Sequence, residues 1–205
     1  MGRLDVLFSA KALYRRAETY SRRALAIAES SFEPNDTRIA IRLCNLAELL
    51  RDTNRLAEAE PLMRRSLAID EAIYGKDHPG VARDLNNLAR LLQDTNRLGE
   101  AEPLMRRALA INEASLGKAH PNVAIGLNNL ARLLQDTNRL GEAEPLMRRH
   151  LAIFLAFQRD TGHAHPHRDA AIGNYTALLA AMGRGKADIA ATIATLHREV
   201  GLDQN

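Results

Sequence analysis

The chain has 205 residues, of which 46 % are apolar and 26 % charged, with one Cys and no Trp. This is a globular balance, and it excludes wholesale disorder, an internal disulfide framework and a multi-thiolate zinc site. Net charge is +3, too slight an excess to argue for nucleic acid. No apolar run approaches the length that crosses a bilayer, and the start, Met1-Gly2-Arg3-Leu4-Asp5, gains charge too early for a secretory signal, so a cytoplasmic location is expected.

Shifted by 42 residues, the chain overlays itself. Leu85 to Ile111 reads LNNLARLLQDTNRLGEAEPLMRRALAI, and Leu127 to Ile153 differs from it at one position, His150 for Ala108. Leu43 to Ile69 is a more drifted version. Arg16 to Ile27 matches only the second half of the unit, and past Ile153 the offset stretches to 45. This predicts a partial front repeat at 1–36 (a helix stub and a long second helix), repeats at 37–78, 79–120 and 121–165, the last with a short insertion, and a degenerate repeat at 166–205.

In chain order, each unit predicts a helix, a turn, a second helix and a connector. Val81, Leu85, Leu88, Ala89 and Leu92 share one helical face, and Ala101, Leu104, Ala108 and Ile111 do the same further on. Between them Asp94-Thr95-Asn96-Arg97-Leu98-Gly99 is a polar turn. Gly75-Lys76-Asp77-His78-Pro79 and Gly117-Lys118-Ala119-His120-Pro121 end one hairpin and start the next, with Gly past a helix C-terminus and Pro in a first turn. Pro61, Pro103 and Pro145 fall early in second helices, where no intrahelical bond is lost. A helix hairpin cannot cover its own apolar stripe on both sides. Stacked hairpins bury it continuously, and small residues such as Ala89, Ala101 and Ala108 let helices approach to roughly 8–10 Å.

These residues resemble the tetratricopeptide repeat (TPR). The period and the wording LNNLA…EAEPL…RALAI…GK-x-HP resemble its kinesin light chain subtype, over roughly residues 10 to 200. HEAT and armadillo repeats share the period but not this residue order. The resemblance implies an all-α fold of the α–α superhelix class, a right-handed solenoid of antiparallel helix pairs. It further implies that first helices line a concave groove and that the function is non-enzymatic protein or peptide binding. Two departures stand out. The front unit keeps only a stub of its first helix, with Leu4, Leu7 and Phe8 matching Leu46, Leu49 and Leu50. His150 sits where other units have Ala or Ser at a close crossing, so the third hairpin is expected to meet the fourth at a changed angle.

On the first helices an Asn recurs as Asn45, Asn87, Asn129 and Asn174, flanked by Asn86 and Asn128. A carboxamide can pair with both the C=O and the N–H of a peptide unit, and in related repeats an Asn at this place contacts bound peptide. Arg83, Arg90 and Arg132 share the face and suit carboxylates, so a ligand acidic at one end is expected. The competing reading is a solvated face of ordinary helix-paired charges. Arg64-Arg65, Arg106-Arg107 and Arg148-Arg149 belong to the second helices and read as a convex ladder balanced by glutamates such as Glu60 and Glu102 one turn earlier. Cys44 takes the place of Asn86 and is expected to face the groove without thiolate activation.

His163-x-His165-x-His167 reads as a connector, since His165-Pro166 corresponds to His78-Pro79, and no metal or cofactor is expected. Gly183-Arg184-Gly185-Lys186 lacks a phosphate-loop pattern, and Asn35-Asp36-Thr37 and Asn174-Tyr175-Thr176 match a glycosylation acceptor without an evident secretory route. No catalytic motif or paired-carboxylate signature is present. The leading expectation is an adaptor that binds a segment of another protein. The alternative is self-assembly through uncapped ends, with Leu4, Leu7 and Phe8 bare at the front and Ile189, Ile193, Leu196 and Val200 at the back. RNA binding ranks lower, because aromatic residues that could stack on bases make up only 4 %.

Overall fold

A computed structural model describes the backbone of residues 3–202 and the side chains from residue 13 to residue 202. Among the described residues there are nine helices and no strand: α1 (Arg3–Ser31), α2 (Thr37–Asp52), α3 (Leu56–Tyr74), α4 (Pro79–Asp94), α5 (Leu98–Leu116), α6 (Pro121–Asp136), α7 (Leu140–Thr161), α8 (Arg168–Ala181) and α9 (Lys186–Val200). The chain forms two compact units, 1–108 and 109–205, which divide within α5. In the first, α1 packs on α2, α2 on α3 and α3 on α4; in the second, α6 packs on α7, α7 on α8, and α9 on both α7 and α8.

The alternation of helices follows from three local devices. The turns inside the first three hairpins each place an Asn in the left-handed region, with φ of 59°, 58° and 57° at Asn54, Asn96 and Asn138, and the α8–α9 turn places Gly183 there (φ 82°). Asn tolerates that region better than other side-chain-bearing residues. There the Asn96 N–H donates to the Gln93 carbonyl (2.8 Å) and the Arg97 N–H to the Leu92 carbonyl (2.8 Å), while Thr95 Oγ1 donates back to the Leu92 carbonyl (3.0 Å). The connectors start the next helix with a histidine cap. His78 Nδ1 accepts from the Gly80 N–H and His120 Nδ1 from the Asn122 N–H, both at 3.1 Å, with Pro79 and Pro121 in the first turn. In the first full repeat Asp36 takes the capping role, accepting from the Arg38 N–H at 2.8 Å.

The third device is burial at the crossings. Ala59, Ala101 and Ala143 are all 0 % exposed, as are Ala47, Ala89 and Ala131 on the first helices. Leu43, Leu46, Leu50 and their counterparts Leu85, Leu88, Leu92, Leu127, Leu130 and Leu134 fill the space between hairpins.

Two expectations are corrected. The front stub does not form a separate first helix: α1 runs unbroken from Arg3. The turn motif Thr-Asn-Arg of later repeats is replaced there by Lys11-Ala12-Leu13, which holds no residue suited to a left-handed turn and every residue suited to helix. The side chains of Leu4, Leu7 and Phe8 lie outside the described residues. The last helix is only partly bare: Ile189 and Leu196 are buried, on a helix packed on α7 and α8, Ile193 and Val200 are half-buried, and Arg159 closes its end by donating to the Val200 carbonyl (3.0 Å). His150 is accommodated at its crossing. Its Nδ1 lies 2.8 Å from the Ala124 carbonyl, repeating the bond that Ser66 Oγ donates to the Ala40 carbonyl (3.0 Å), and its ring meets Phe154 edge-on. Burial pushes this imidazole below its ordinary pKa and keeps it neutral.

The left-handed turn gives a direct check. Asn96→Val is expected to destabilise the chain by about 1–2 kcal/mol, while Asn96→Gly is neutral within about 0.5 kcal/mol. Urea unfolding followed by circular dichroism measures both.

Candidate functional site

The sequence-predicted residues all sit on first helices: Asn45 on α2; Arg83, Asn86, Asn87 and Arg90 on α4; Asn128, Asn129 and Arg132 on α6; and Asn174 on α8. Their environments differ. In the first unit Asn87 Nδ2 donates to Glu48 Oε1 at 2.8 Å and to Cys44 Sγ at 3.5 Å, both on α2. In the second unit Asn174 Nδ2 donates to Asn128 Oδ1 at 2.9 Å. Each of these amides therefore ties one first helix to the next and keeps its own Oδ1 for another donor. Asn45 is exposed and Asn129 half-buried. Among the described residues Asn86 Oδ1 is a buried side-chain oxygen with no hydrogen-bond partner.

The arginines divide the same way. Arg83 is drawn back onto its own unit, with Nε 3.3 Å from Asp84 Oδ1 and Nη2 3.5 Å from Asp70 Oδ2. Arg90 and Arg132 are exposed, and neither has an ion-pair partner among the described residues. The second helices are the opposite case. Arg64 and Arg106 pair with Glu60 and Glu102 one turn earlier in their own helices, at 2.8 and 2.7 Å. Arg65, Arg107 and Arg149 pair with Glu29, Glu71 and Glu113, thirty-six positions back in the preceding second helix. Arg107 and Arg149 also donate to the connector carbonyls of Lys76 (2.7 Å) and Lys118 (3.0 Å). Arg55 and Arg97 bind glutamates of both their own and the preceding second helix. The arginines of α3, α5 and α7 are thus consumed by the fold.

Cys44 corrects the expectation of a groove thiol. It is 7 % exposed. Burial, and then the nearby Asp84 and Glu48 carboxylates, push its pKa up to about 11, so the thiolate is scarce at neutral pH. The three connector histidines serve turns: His163 Nδ1 contacts the Thr161 carbonyl (2.9 Å), and His165 Nδ1 accepts from the His167 N–H (3.2 Å). His165 stacks on Phe154 with ring centres 4.4 Å apart. A recess of about 180 Å³ beside them is lined by Ile125, Asn128, His150, Phe154, His167 and Asn174. That is room for one side chain and less than drug-sized ligands occupy.

Sequence reasoning missed a buried acidic pair. Asp70 and Asp84 are 4 % and 2 % exposed, at positions filled by Asn112 and Gly126 in the next repeat. Burial raises Asp84 to about 6 against the pull of Arg83, and the neighbouring Asp70 adds to the rise. Ser66 Oγ lies 3.0 Å from the Ala40 carbonyl and 3.2 Å from Asp84 Oδ2. Its single proton is shared between these two acceptors, the Ala40 carbonyl and the Asp84 carboxylate. The only sequence signal was two acids at apolar-periodic positions.

The sign of the resulting pH dependence follows from linkage. Asp84 titrates near 6 folded and near 4 unfolded, so the folded state holds its proton longer. The resulting penalty is absent at low pH, grows between about pH 4 and 6, and is constant above. A shift of this size is worth about 3 kcal/mol at most. Asp84→Asn is expected to stabilise the chain by about 1–3 kcal/mol at pH 7.5 and to make little difference at pH 3.5. Denaturant unfolding at the two pH values measures it.

A family model described as tetratricopeptide repeat matches residues 6–72, 39–114 and 85–156. No curated protein matches in sequence. Among solved structures, a Podosopora anserina protein assigned as a kinesin light chain, with nearly identical TPR-like repeats, is 22 % identical, with 100 % of this chain and 99 % of that chain covered and a TM-score of 0.71. BtubC (BKLC) from P. vanneervenii is also 22 % identical, over 96 % of this chain and 76 % of that one, with a TM-score of 0.75. YrrB, a TPR protein with an unusual peptide-binding site, is 15 % identical over 96 % and 82 %, with a TM-score of 0.53. Helix pairing, turn chemistry and the family match agree: the chain belongs to the tetratricopeptide repeat family and has an all-α fold of the α–α superhelix class.

Proposed function

We propose that the chain is a non-enzymatic interaction module that binds acidic segments of partner proteins on the faces of its first helices. Tetratricopeptide repeats in general serve protein–protein interaction. The observation that supports the finer reading is the contrast between two sets of arginines. Those in the middle of α3, α5 and α7 are clasped by glutamates, whereas Arg90 and Arg132 are exposed with no ion-pair partner among the described residues. A guanidinium free of internal partners offers a planar pair of donors to a carboxylate. Beside Arg132 lies Asn129, whose carboxamide can hold a peptide unit in register, and beside Arg90 lies Asn87, whose Oδ1 can accept from a peptide N–H.

Selection from a random peptide display library tests this. Wild-type chain is expected to enrich peptides rich in Asp and Glu. Hydrogen bonds of this kind contribute about 0.5–1.5 kcal/mol each, so Asn87→Ala/Asn129→Ala is expected to weaken a selected peptide by about tenfold. Arg90→Glu/Arg132→Glu should abolish the acidic preference. Both variants should keep wild-type helicity by circular dichroism. Selection of peptides without acidic bias, or unchanged affinity in both variants, contradicts the assignment.

A further inference from the structure

We propose that the recess beside His150 is a specificity site, which takes the carboxamide of a Gln or Asn side chain from a bound segment. This rests on the reading that first helices bind segments of partner proteins, and it assigns what one position of such a segment carries. Leu127 to Ile153 repeats Leu85 to Ile111 with a single change, His150 for Ala108. Where Ala108 brings only a methyl group, His150 brings a ring with two nitrogens. That ring lines the recess of about 180 Å³ together with Asn128 of α6 and Asn174 of α8, and all of these residues belong to the second unit.

The proton on His150 is placed by its neighbour. Nδ1 lies 2.8 Å from the Ala124 carbonyl, an oxygen that can only accept, so Nδ1 carries the hydrogen. The buried ring is neutral, which leaves Nε2 as a bare lone pair. His150 is 6 % exposed, and its Nε2 has no hydrogen-bond partner among the described residues. It is an acceptor, nearly enclosed, whose donor has to come from outside the chain.

The two amides narrow the choice of occupant. Asn174 Nδ2 donates to Asn128 Oδ1 at 2.9 Å, so Asn174 Oδ1 remains to accept and Asn128 Nδ2 remains to donate. The walls therefore hold two open acceptors and an open donor, and no carboxylate is among the residues that line them. An entering carboxylate sets its lone pairs against those of Nε2 and Oδ1. An ammonium leaves water with no anion to meet it. A hydroxyl brings one proton for two acceptors. A primary carboxamide brings two N–H groups and a C=O in one plane, and Ile125 and Phe154 supply apolar contact for the methylenes behind it. Arg132 follows Asn128 by one turn of α6, so the carboxamide position neighbours the place where the segment's carboxylate is expected.

Propionamide and propionate share one shape and differ in the donor. With the side-chain amide signals of Asn128 and Asn174 followed by NMR at pH 7.5 and constant ionic strength, propionamide is expected to shift both with a Kd on the order of 10 mM. Propionate should leave them in place at about 100 mM. His150→Ala installs the residue that the preceding repeat holds at this crossing, so helicity should persist while propionamide binds about fivefold more weakly. In an acidic peptide selected as described above, Gln should bind about tenfold tighter than Glu at one position, in the wild type and not in His150→Ala. Equal responses to the two fragments, no response to propionamide, or unchanged affinity in His150→Ala overturns the proposal, and so does a selected peptide in which no position prefers Gln. The fragments need no peptide: a chain that discriminates between them yet selects no acidic peptide retains the carboxamide site and loses the acidic-segment reading.

Discussion

Helices meet here at residues with almost no side chain. Ala59, Ala101 and Ala143 on second helices and Ala47, Ala89 and Ala131 on first helices are all fully buried, and a side chain of one methyl group lets packed helix backbones approach closely. That closeness sets the rest. It brings the leucines of each first helix within reach of the neighbouring hairpins, and it forces the intervening turn to be short enough to need a left-handed Asn. A deviation has to be absorbed locally: His150 fits a crossing position only because its ring nitrogen takes over the carbonyl bond that Ser66 makes in an earlier repeat.

The same geometry sorts the charges. Second helices lie near enough to one another for an arginine of one to reach a glutamate of the preceding one, so Arg65, Arg107 and Arg149 cement the wall rather than advertise it. First helices are joined more lightly, by single amide bonds such as Asn87 to Glu48 and Asn174 to Asn128, and they retain unspent cations. Under the proposed function this difference leaves the first-helix face open to a ligand, whereas exposed ion pairs already closed within the fold contribute little.

Much of this was readable in the chain. The 42-residue period, the helix pairs, the Asn turns and the His-Pro connectors are local and repeated, and each repetition confirms the pattern. The placement of the candidate Asn and Arg residues on first helices followed from period alone. What escaped depends on contacts between elements. The glutamate partners thirty-six positions back are invisible to an i, i+4 reading. Asp70 and Asp84 look like ordinary surface acids until packing places both against Ser66 and Arg83. Cys44 looked open because its counterpart Asn86 is polar, yet the Asn87 and Glu48 side chains cover it. The front helix was misread because repeat matching imposed a turn on a segment whose own residues favour continuous helix.

The division of arginines between closed and open faces is best examined by observing their side-chain Nε–H signals individually by NMR while poly-glutamate is added. The account predicts that Arg90 and Arg132 shift and slow their exchange, while Arg107 and Arg149, already held by Glu71 and Glu113, stay where they are. Shifts confined to Arg107 and Arg149, with Arg90 and Arg132 indifferent, would contradict it.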